Sequence, residues 1–437
     1  MIGVPNFDPK PHLAPRALPK NFQMGAIGAA VLGAVLIGAG FAQSSLAARS
    51  AILVGMNYFT AVSFGSMAFA MAMTITLARW SRPLKRVAEG IMLFTPVIPV
   101  VFLVFMTAIG GIDLYEWHTH PDSVSGHKHI WLQQWPFILR NFASLTVLSI
   151  LGLAYIRNSL RPDVLLCKQA GVELPGWVVS LAGSAEGSHA DAVAKSMDTQ
   201  RRLAPIGAIV YALTLTFYAF DVIMSLAPHW YANMFGGWFF ASGIWSGMVW
   251  IGLLSLAFRK DLGIDKMVNA GTYHDLGKLV FGFSMIWAYM FFAQLLPIWY
   301  GNMTEEIGFL LVRMQLEPWS KLAPIVGAMC FLIPFGTLLS RGIKKMPVGL
   351  GLVLGIIAVG IFLERFIVAV PSVWMESTFP PVLPYIGSFL FFGGLLVLVA
   401  MTYLKSVPAV PVSDPFMLPH PDDIHVHSRD DHHGDHH

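Results

Sequence analysis

Charge is scarce in this chain. Asp, Glu, Lys and Arg make up 12% of its 437 residues, about half the share of roughly 25% usual for a soluble domain. A soluble protein of this length needs charge to cover its surface, so a cytosolic globular enzyme, a disordered chain and a nucleic-acid binder are all excluded. Cysteine is scarcer still. Cys167 and Cys330 are the only two, too few for a disulfide scaffold or a thiolate metal site. The sequence also has no CxxCH haem attachment, no iron–sulfur cysteine set, no Walker loop and no glycine-rich dinucleotide fingerprint with a suitable acidic residue after it. No redox centre or nucleotide site is declared by its residues.

What is present is apolar sequence. Hydrophobic residues reach 55% and mean hydropathy is +0.63. A bilayer core of about 30 Å needs about 20 apolar residues in a helix. Ten such runs occur, over approximately 24–47, 52–78, 88–111, 136–157, 203–227, 232–258, 276–300, 320–340, 347–370 and 382–404. None alternates with the period of two that marks a membrane barrel strand. The expected fold is therefore an all-α polytopic membrane protein, with ten transmembrane helices over 24–404. A Pro-rich arm (1–23) precedes them and a His/Asp-rich tail (405–437) follows. The first run is too long for a cleaved signal peptide.

Charge placement agrees with this count. Ten spans put both termini on one side, and that side receives 22 of the 28 Lys and Arg residues; only Arg49, Lys128, Arg140, Arg313, Lys321 and Arg365 fall elsewhere. The positive-inside rule then puts both termini in the cytoplasm. Trp117, Trp131, Trp135, Trp230, Trp299, Trp319 and Trp374 collect at the outer ends, either as a bilayer anchor or as a docking surface. The longest inner loop, 158–202, contains VLLCKQAGVELPGWVVSLAG, a stretch suited to the interface plane. Small residues spaced by four in the first run, Ala26, Ala30, Ala34 and Gly38, predict close helix packing.

Ionisable groups inside a span cost about 2.5–3.5 kcal/mol at its centre on insertion scales, so each raises a functional question. Asp221, Gln294, Glu364 and Arg365 all fall about two turns from the outer ends of their spans. Tyr211, Thr214, Tyr218 and Asp221 are spaced 3, 4 and 3, which places them on one helical face. That face is a polar track for protons, a wall of a ligand pocket, or a set of interhelical hydrogen bonds. Glu364 and Arg365 are adjacent, and neighbours at i,i+1 diverge on a helix. They are expected to have separate partners, Arg365 pairing with Asp221 and Glu364 facing a cavity. His274, Asp275 and Lys278 open the seventh run on the inner side, as helix-dipole partners or as a cytoplasmic proton entrance. His118, His120, His127 and His129 share one outer loop, and the tail ends HPDDIHVHSRDDHHGDHH; neither matches a specific metal site.

Three stretches carry a family resemblance: FDVIMSLAPHWYANMFGGWFFASG (220–243), HDLGKLVFGFSMIWAYMFFAQLLPIWYGNMTEEI (274–307) and LERFIVAVPS (363–372). With DLYEWHTHPD at the exit of the third run, they resemble the large membrane subunits of the bacterial alternative complex III, within the NrfD or polysulfide-reductase membrane-subunit family. AQLLPIWYGNMTEE is more similar to the ActF copy than to the ActC copy. The resemblance spans the membrane region and leaves out the arm and the tail.

It implies two four-helix bundles with two flanking helices, in a bacterial inner membrane. It also implies partners: a paralogous NrfD-like membrane subunit, a periplasmic Fe–S subunit, c-type cytochrome subunits, smaller membrane subunits and a terminal oxidase, with lipids around them. Menaquinol or ubiquinol is the implied reductant, and Fe–S clusters and c-type haems reside on the partners. A quinol site needs a carboxylate or His beside an apolar groove, and Asp221, His229 and Gln294 are the candidates. The implied function is that of a non-redox-centre subunit of a quinol:cytochrome c, or quinol:oxidase, oxidoreductase, supporting quinol oxidation and proton translocation. The ActC-like quinol-binding role, a secondary transporter and a pure scaffold are the other readings. Transporters, however, concentrate charge near the midplane.

Overall fold

The structure is a computed structural model, and it describes residues 8–183 and 187–417. The metal reading of the HPDDIHVHSRDDHHGDHH tail falls outside the described residues. The described chain is all-helical, with ten helices long and apolar enough to cross a membrane. We number them α1 (Lys20–Gln43), α2 (Ser45–Ile75), α3 (Arg82–Thr107), α4 (Gln134–Gln169), α5 (His189–Leu226), α6 (Phe235–Phe258), α7 (Ala270–Gly301), α8 (Trp319–Leu338), α9 (Pro347–Ser372) and α10 (Leu383–Leu404). The protein is an all-α, multi-pass membrane protein. In lipid every backbone group must find its partner within the protein, which these helices achieve internally.

Local residues set the boundaries. Ser44 is extended and caps α2, its Oγ accepting from Ala47 N–H at 3.3 Å, so the first two spans meet at a sharp corner. Asn269 caps α7 through Oδ1, which accepts from Gly271 N at 2.8 Å and Thr272 N at 3.1 Å. Asn302 ends α7 in the left-handed region at φ +45°, a conformation Asn tolerates better than most side chains.

Two expectations shift. The inner loop is shorter than composition suggested, because α4 runs on to Gln169 and α5 begins at His189. VLLCKQ belongs to α4, and only Gly176–Ala182 forms a separate short helix. The buried stripe of α1 is Ala26, Ala30, Gly33, Ile37 and Gly40, while Ala34 and Gly38 are exposed. Strict spacing by four advances 40° per step at 100° per residue, so the contact line drifts to spacings of 4 and 3.

Helices α2–α5 form a first bundle and α6–α9 a second, flanked by α1 and α10. α1 and α10 run antiparallel in close contact: a Cβ on Gly394 would meet the Ala26 carbonyl at 2.6 Å, and one on Gly40 would collide with Pro384. α2 and α6 join the bundles. Gly65 and Gly247 interlock there, and a Cβ on Gly65 would fall on the Gly243 carbonyl. We call the side holding α1's start and α10's end proximal, and the opposite side distal.

The segment after α10 does not leave the protein. Residues 406–414 are buried beneath the first bundle. On the N-terminal side Leu13 is buried and its carbonyl accepts from Cys167 Sγ at 3.5 Å.

Candidate functional site

Asp221 is 2% exposed and fully engaged. Arg140 of α4 donates from Nε to Oδ2 at 2.6 Å and from Nη2 to Oδ1 at 2.9 Å. Asn141 Nδ2 donates to Oδ2 at 2.9 Å and Trp131 Nε1 to Oδ1 at 2.8 Å. Four donors saturate the carboxylate, and Arg140 also lies over the Trp131 ring at 4.2 Å. The expected Arg365–Asp221 pair does not form.

The 3-4-3 face also divides. Tyr211 Oη donates to the Phe240 carbonyl at 2.7 Å and Tyr218 Oη to Asn57 Oδ1 at 2.6 Å, towards α6 and α2. Thr214 is buried in the same helix. Between Tyr218 and Asp221 the helix adopts a π turn, Ala219–Ile223. Its wider winding takes Asp221 off the tyrosine face and onto α4. The α-helical period could not reveal this. His229 lies beyond the 3₁₀ turn Met224–Leu226, exposed in the distal loop. It is not one helical face with Asp221, because the helix has ended.

Glu364 and Arg365 sit in α9, each at most 2% exposed, and they pair with each other rather than with separate partners. Arg365 Nη1 is 2.9 Å from both oxygens of Glu364, but its N–H is directed only at Oε1. Its Nη2 donates to Ser242 of α6, and the guanidinium lies 4.3 Å from the Phe239 ring centre. Consecutive side chains diverge on a helix, but the long Arg stem curls back here because both groups are buried against α6 and a carboxylate in low dielectric needs a cation. Ser242 and Phe239 are the neighbours that sequence alone left unassigned.

Glu364 faces a cavity, as expected for it. The cavity measures about 830 Å³ and lies among the distal halves of α6–α9 and the short helix Thr304–Met314. Gln294 lines it too, with its Nε2 donating to the Met290 carbonyl at 3.0 Å. Gln294 and Glu364 therefore share a cavity as well as a depth. Arg313, an outer-side residue with no role read from the sequence, forms part of the roof. It donates to the carbonyls of Phe309 at 2.8 Å and Val368 at 2.7 Å and to Ser372 Oγ at 2.6 Å. Burial pushes its pKa below the ordinary value, yet a guanidinium stays charged at any physiological pH.

Asp275 and Lys278 pair at 2.6 Å near the proximal start of α7, with His274 3.9 Å from Asp275. Nineteen residues separate Asp275 from Gln294, roughly 28 Å along the helix. The proximal and distal polar groups of α7 are therefore separate centres.

A third buried centre was missed at sequence level. In the first bundle Arg86 pairs with both Glu89 and Asp163. Tyr403 Oη donates to Glu89 Oε2 at 2.6 Å and the Ser413 N–H to Asp163 Oδ1 at 2.8 Å. Asp414 then binds Lys85 at 3.1 Å and Arg82 at 3.3 Å. Burial alone would raise the Asp414 carboxyl, but Lys85 and Arg82 outweigh it and hold it below the ordinary value. Glu89 stood inside the third predicted run, so a signal existed. Asp163 fell after the fourth predicted run and Asp414 within the segment read as tail, so neither stood inside a predicted span.

No protein family matches this chain, and no curated protein matches it. What fold and sites define is the class: a helical membrane protein with ten candidate spans and, among the described residues, the three buried charge centres above, of which the Glu364 centre opens on a cavity of about 830 Å³.

Proposed function

We propose that this chain is an integral membrane subunit of a quinol-oxidising respiratory complex of the alternative complex III type, in a bacterial inner membrane with both termini cytoplasmic. In this reading the donor is menaquinol or ubiquinol, and partner subunits carry the Fe–S clusters and c-type haems that pass electrons to cytochrome c or an oxidase. The observation that carries the reading is Glu364. It is a buried carboxylate with one oxygen free of a directed hydrogen bond, on the wall of an apolar cavity in the distal half of the membrane. A carboxylate so placed is suited to take a proton from a hydroxyl and release it on the distal side. Arg365 keeps it oriented.

The test is Glu364→Gln in the purified complex. Co-purifying haem and Fe–S content should be unchanged, while proton release coupled to quinol oxidation falls at least tenfold. Normal coupling in that variant sinks the proton role. A wild-type chain that purifies without haem-bearing partners sinks the complex.

A further inference from the structure

Lys344 is 8% exposed, and its ammonium has no hydrogen-bond or ion-pair partner among the described residues. It belongs to the short helix Arg341–Lys345, which links α8 to α9 on the proximal side. Its stem crosses α7 at Gly277, where an added Cβ would meet Lys344 Cγ at 2.9 Å and Cδ at 3.2 Å. The bare glycine is a slot that admits the stem. Arg341 and Lys345 are exposed beside it, and Lys278 of α7 is 54% exposed. Lys278, Lys344 and Arg341 all lie close enough to act electrostatically on His274, so cations from two elements converge at the start of α7. Segments 270–280 and 338–348 contain a single carboxylate, Asp275, and Lys278 already pairs with it at 2.6 Å. A lysine can bury its stem and send its head to water. That accounts for one ammonium, not for four cations around one acid. Like charges held together repel, and an anion that joins them relieves the repulsion.

We infer that this cluster is a binding site for the phosphate of an anionic phospholipid in the proximal leaflet, with Lys278, Arg341 and Lys344 as its cations. Its depth favours a lipid over a soluble anion. Immediately beyond the cluster the surface turns apolar: Phe335 and Leu339 at the end of α8 and Val348 and Leu352 at the start of α9 are all exposed, Val348 to 74% and Leu352 to 66%. The cations therefore stand where the hydrocarbon-facing surface ends, which is the level of lipid headgroups. Apolar side chains at that boundary take acyl chains, which a free phosphate does not have and an acidic peptide would leave unmatched. Basic pockets between spans on the cytoplasmic side suit anionic headgroups. Charge selects among lipids, because a zwitterionic one brings its own ammonium to a surface already holding an excess of cations. A phosphate bound here bridges α7 to the α8–α9 link. That bridge matters because α7 and α8 bury only 17% and 22% of their apolar windows, so packing within the chain covers little of either. The site lies at the opposite end of α7 from Gln294 and does not depend on the respiratory reading.

The experiment is a titration of the delipidated full chain, in mild detergent, with dioleoylphosphatidylglycerol or dioleoylphosphatidylcholine, read by native mass spectrometry and by thermal unfolding. Phosphatidylglycerol should bind saturably, at least tenfold more tightly than phosphatidylcholine, and should raise the unfolding temperature. Lys344→Met keeps an apolar stem and removes the charge. It should weaken phosphatidylglycerol binding about fivefold, the factor expected for one basic residue at an anionic headgroup, and leave phosphatidylcholine unchanged. Arg341→Gln, at an exposed position, should do the same. Lys405→Gln, exposed at the proximal end of α10, should change neither lipid by more than twofold. Equal binding of the two lipids by the wild type overturns the proposal. Equal weakening by Lys405→Gln means diffuse surface charge and overturns it too. Displacement of phosphatidylglycerol by millimolar inorganic phosphate, with phosphate alone giving the same thermal shift, overturns the lipid in favour of a soluble anion. If Lys344→Met fails to fold, Arg341→Gln and the wild-type lipid comparison still decide.

Discussion

Arg86 in the first bundle and Arg365 in the second are both almost wholly buried, yet they keep different company. Arg86 sits between two carboxylates, with Tyr403 and Ser159 completing the network. Arg82, Lys85 and Arg86 face Glu89, Asp163 and Asp414, three charges against three. Arg365 has one carboxylate and one hydroxyl, and its partner Glu364 keeps one oxygen without a directed hydrogen bond at a cavity. A buried charge network is stable when every member is satisfied and is strained wherever one is not. Both networks leave atoms without a hydrogen-bond partner, Arg82 Nε, Arg86 Nε and Glu89 Oε1 in the first bundle and Glu364 Oε2 and Arg365 Nε in the second. What differs is that the first sets three cations among three carboxylates and the second sets a single pair beside a cavity.

The largest effect should come from Arg86→Met. It leaves Glu89 and Asp163 buried without their cation, and breaking such a pair costs about 3–5 kcal/mol. Thermal unfolding in mild detergent should show it. Arg365→Met should lose less, because it strands one buried carboxylate where Arg86→Met strands two; equal losses would break the contrast between the bundles.

Gly65→Ala comes next. It forces a Cβ onto the Gly243 backbone at the α2–α6 contact, and overpacking costs about 1–3 kcal/mol. Asp221→Asn should cost about 1–3 kcal/mol, less than the Arg86 change because Arg140 is 25% exposed and can reach water. Hydrogen exchange should rise locally over 127–131, whose Trp131 would lose its charged acceptor.

The buried segment 406–414 gives a pH prediction. Asp414 has a lowered folded pKa, so its stabilisation is complete above the unfolded value, near 4, and is lost as pH falls through the folded value below that. Proteolysis within 406–417 should therefore accelerate only below about pH 4. Acceleration beginning at pH 6 would mean that a group other than Asp414 holds the segment in place.

The smallest effect sharpens the comparison. Gly327 lines the second-bundle cavity and has nothing within 4 Å of its Cβ position. Gly327→Ala should stabilise α8 by about 0.5–1 kcal/mol, the gain of Ala over Gly within a helix. One methyl group would then act with opposite sign in the two bundles.

The spans were legible because hydropathy over 20 residues is a strong and redundant signal. The shared depth of Gln294 and Glu364 was legible too, and the structure places both on one cavity. Other features depend on geometry that spacing does not encode. The π turn at Ala219–Ile223 redirects Asp221, and no residue type announces it. The Glu364–Arg365 pair defeats the i,i+1 rule because a long side chain can bend where burial leaves it no other anion. Polar helix ends hide from hydropathy, so the proximal halves of α4 and α5 and the charges they carry looked like loop. Arg313 sits in a short amphipathic helix, where its charge looks ordinary until its surroundings are known.

The antiparallel pairing of α1 with α10 bears on how the molecule is made. A ribosome delivers the spans in order, so α1 enters the membrane nine spans before the partner that covers its small-residue stripe. During that interval Gly33 and Gly40 offer a close-fitting face to any passing helix. Closure of the fold, and with it the burial of 406–414, waits on the last span. The fold is therefore closed by its tenth described span and not by the nine before it.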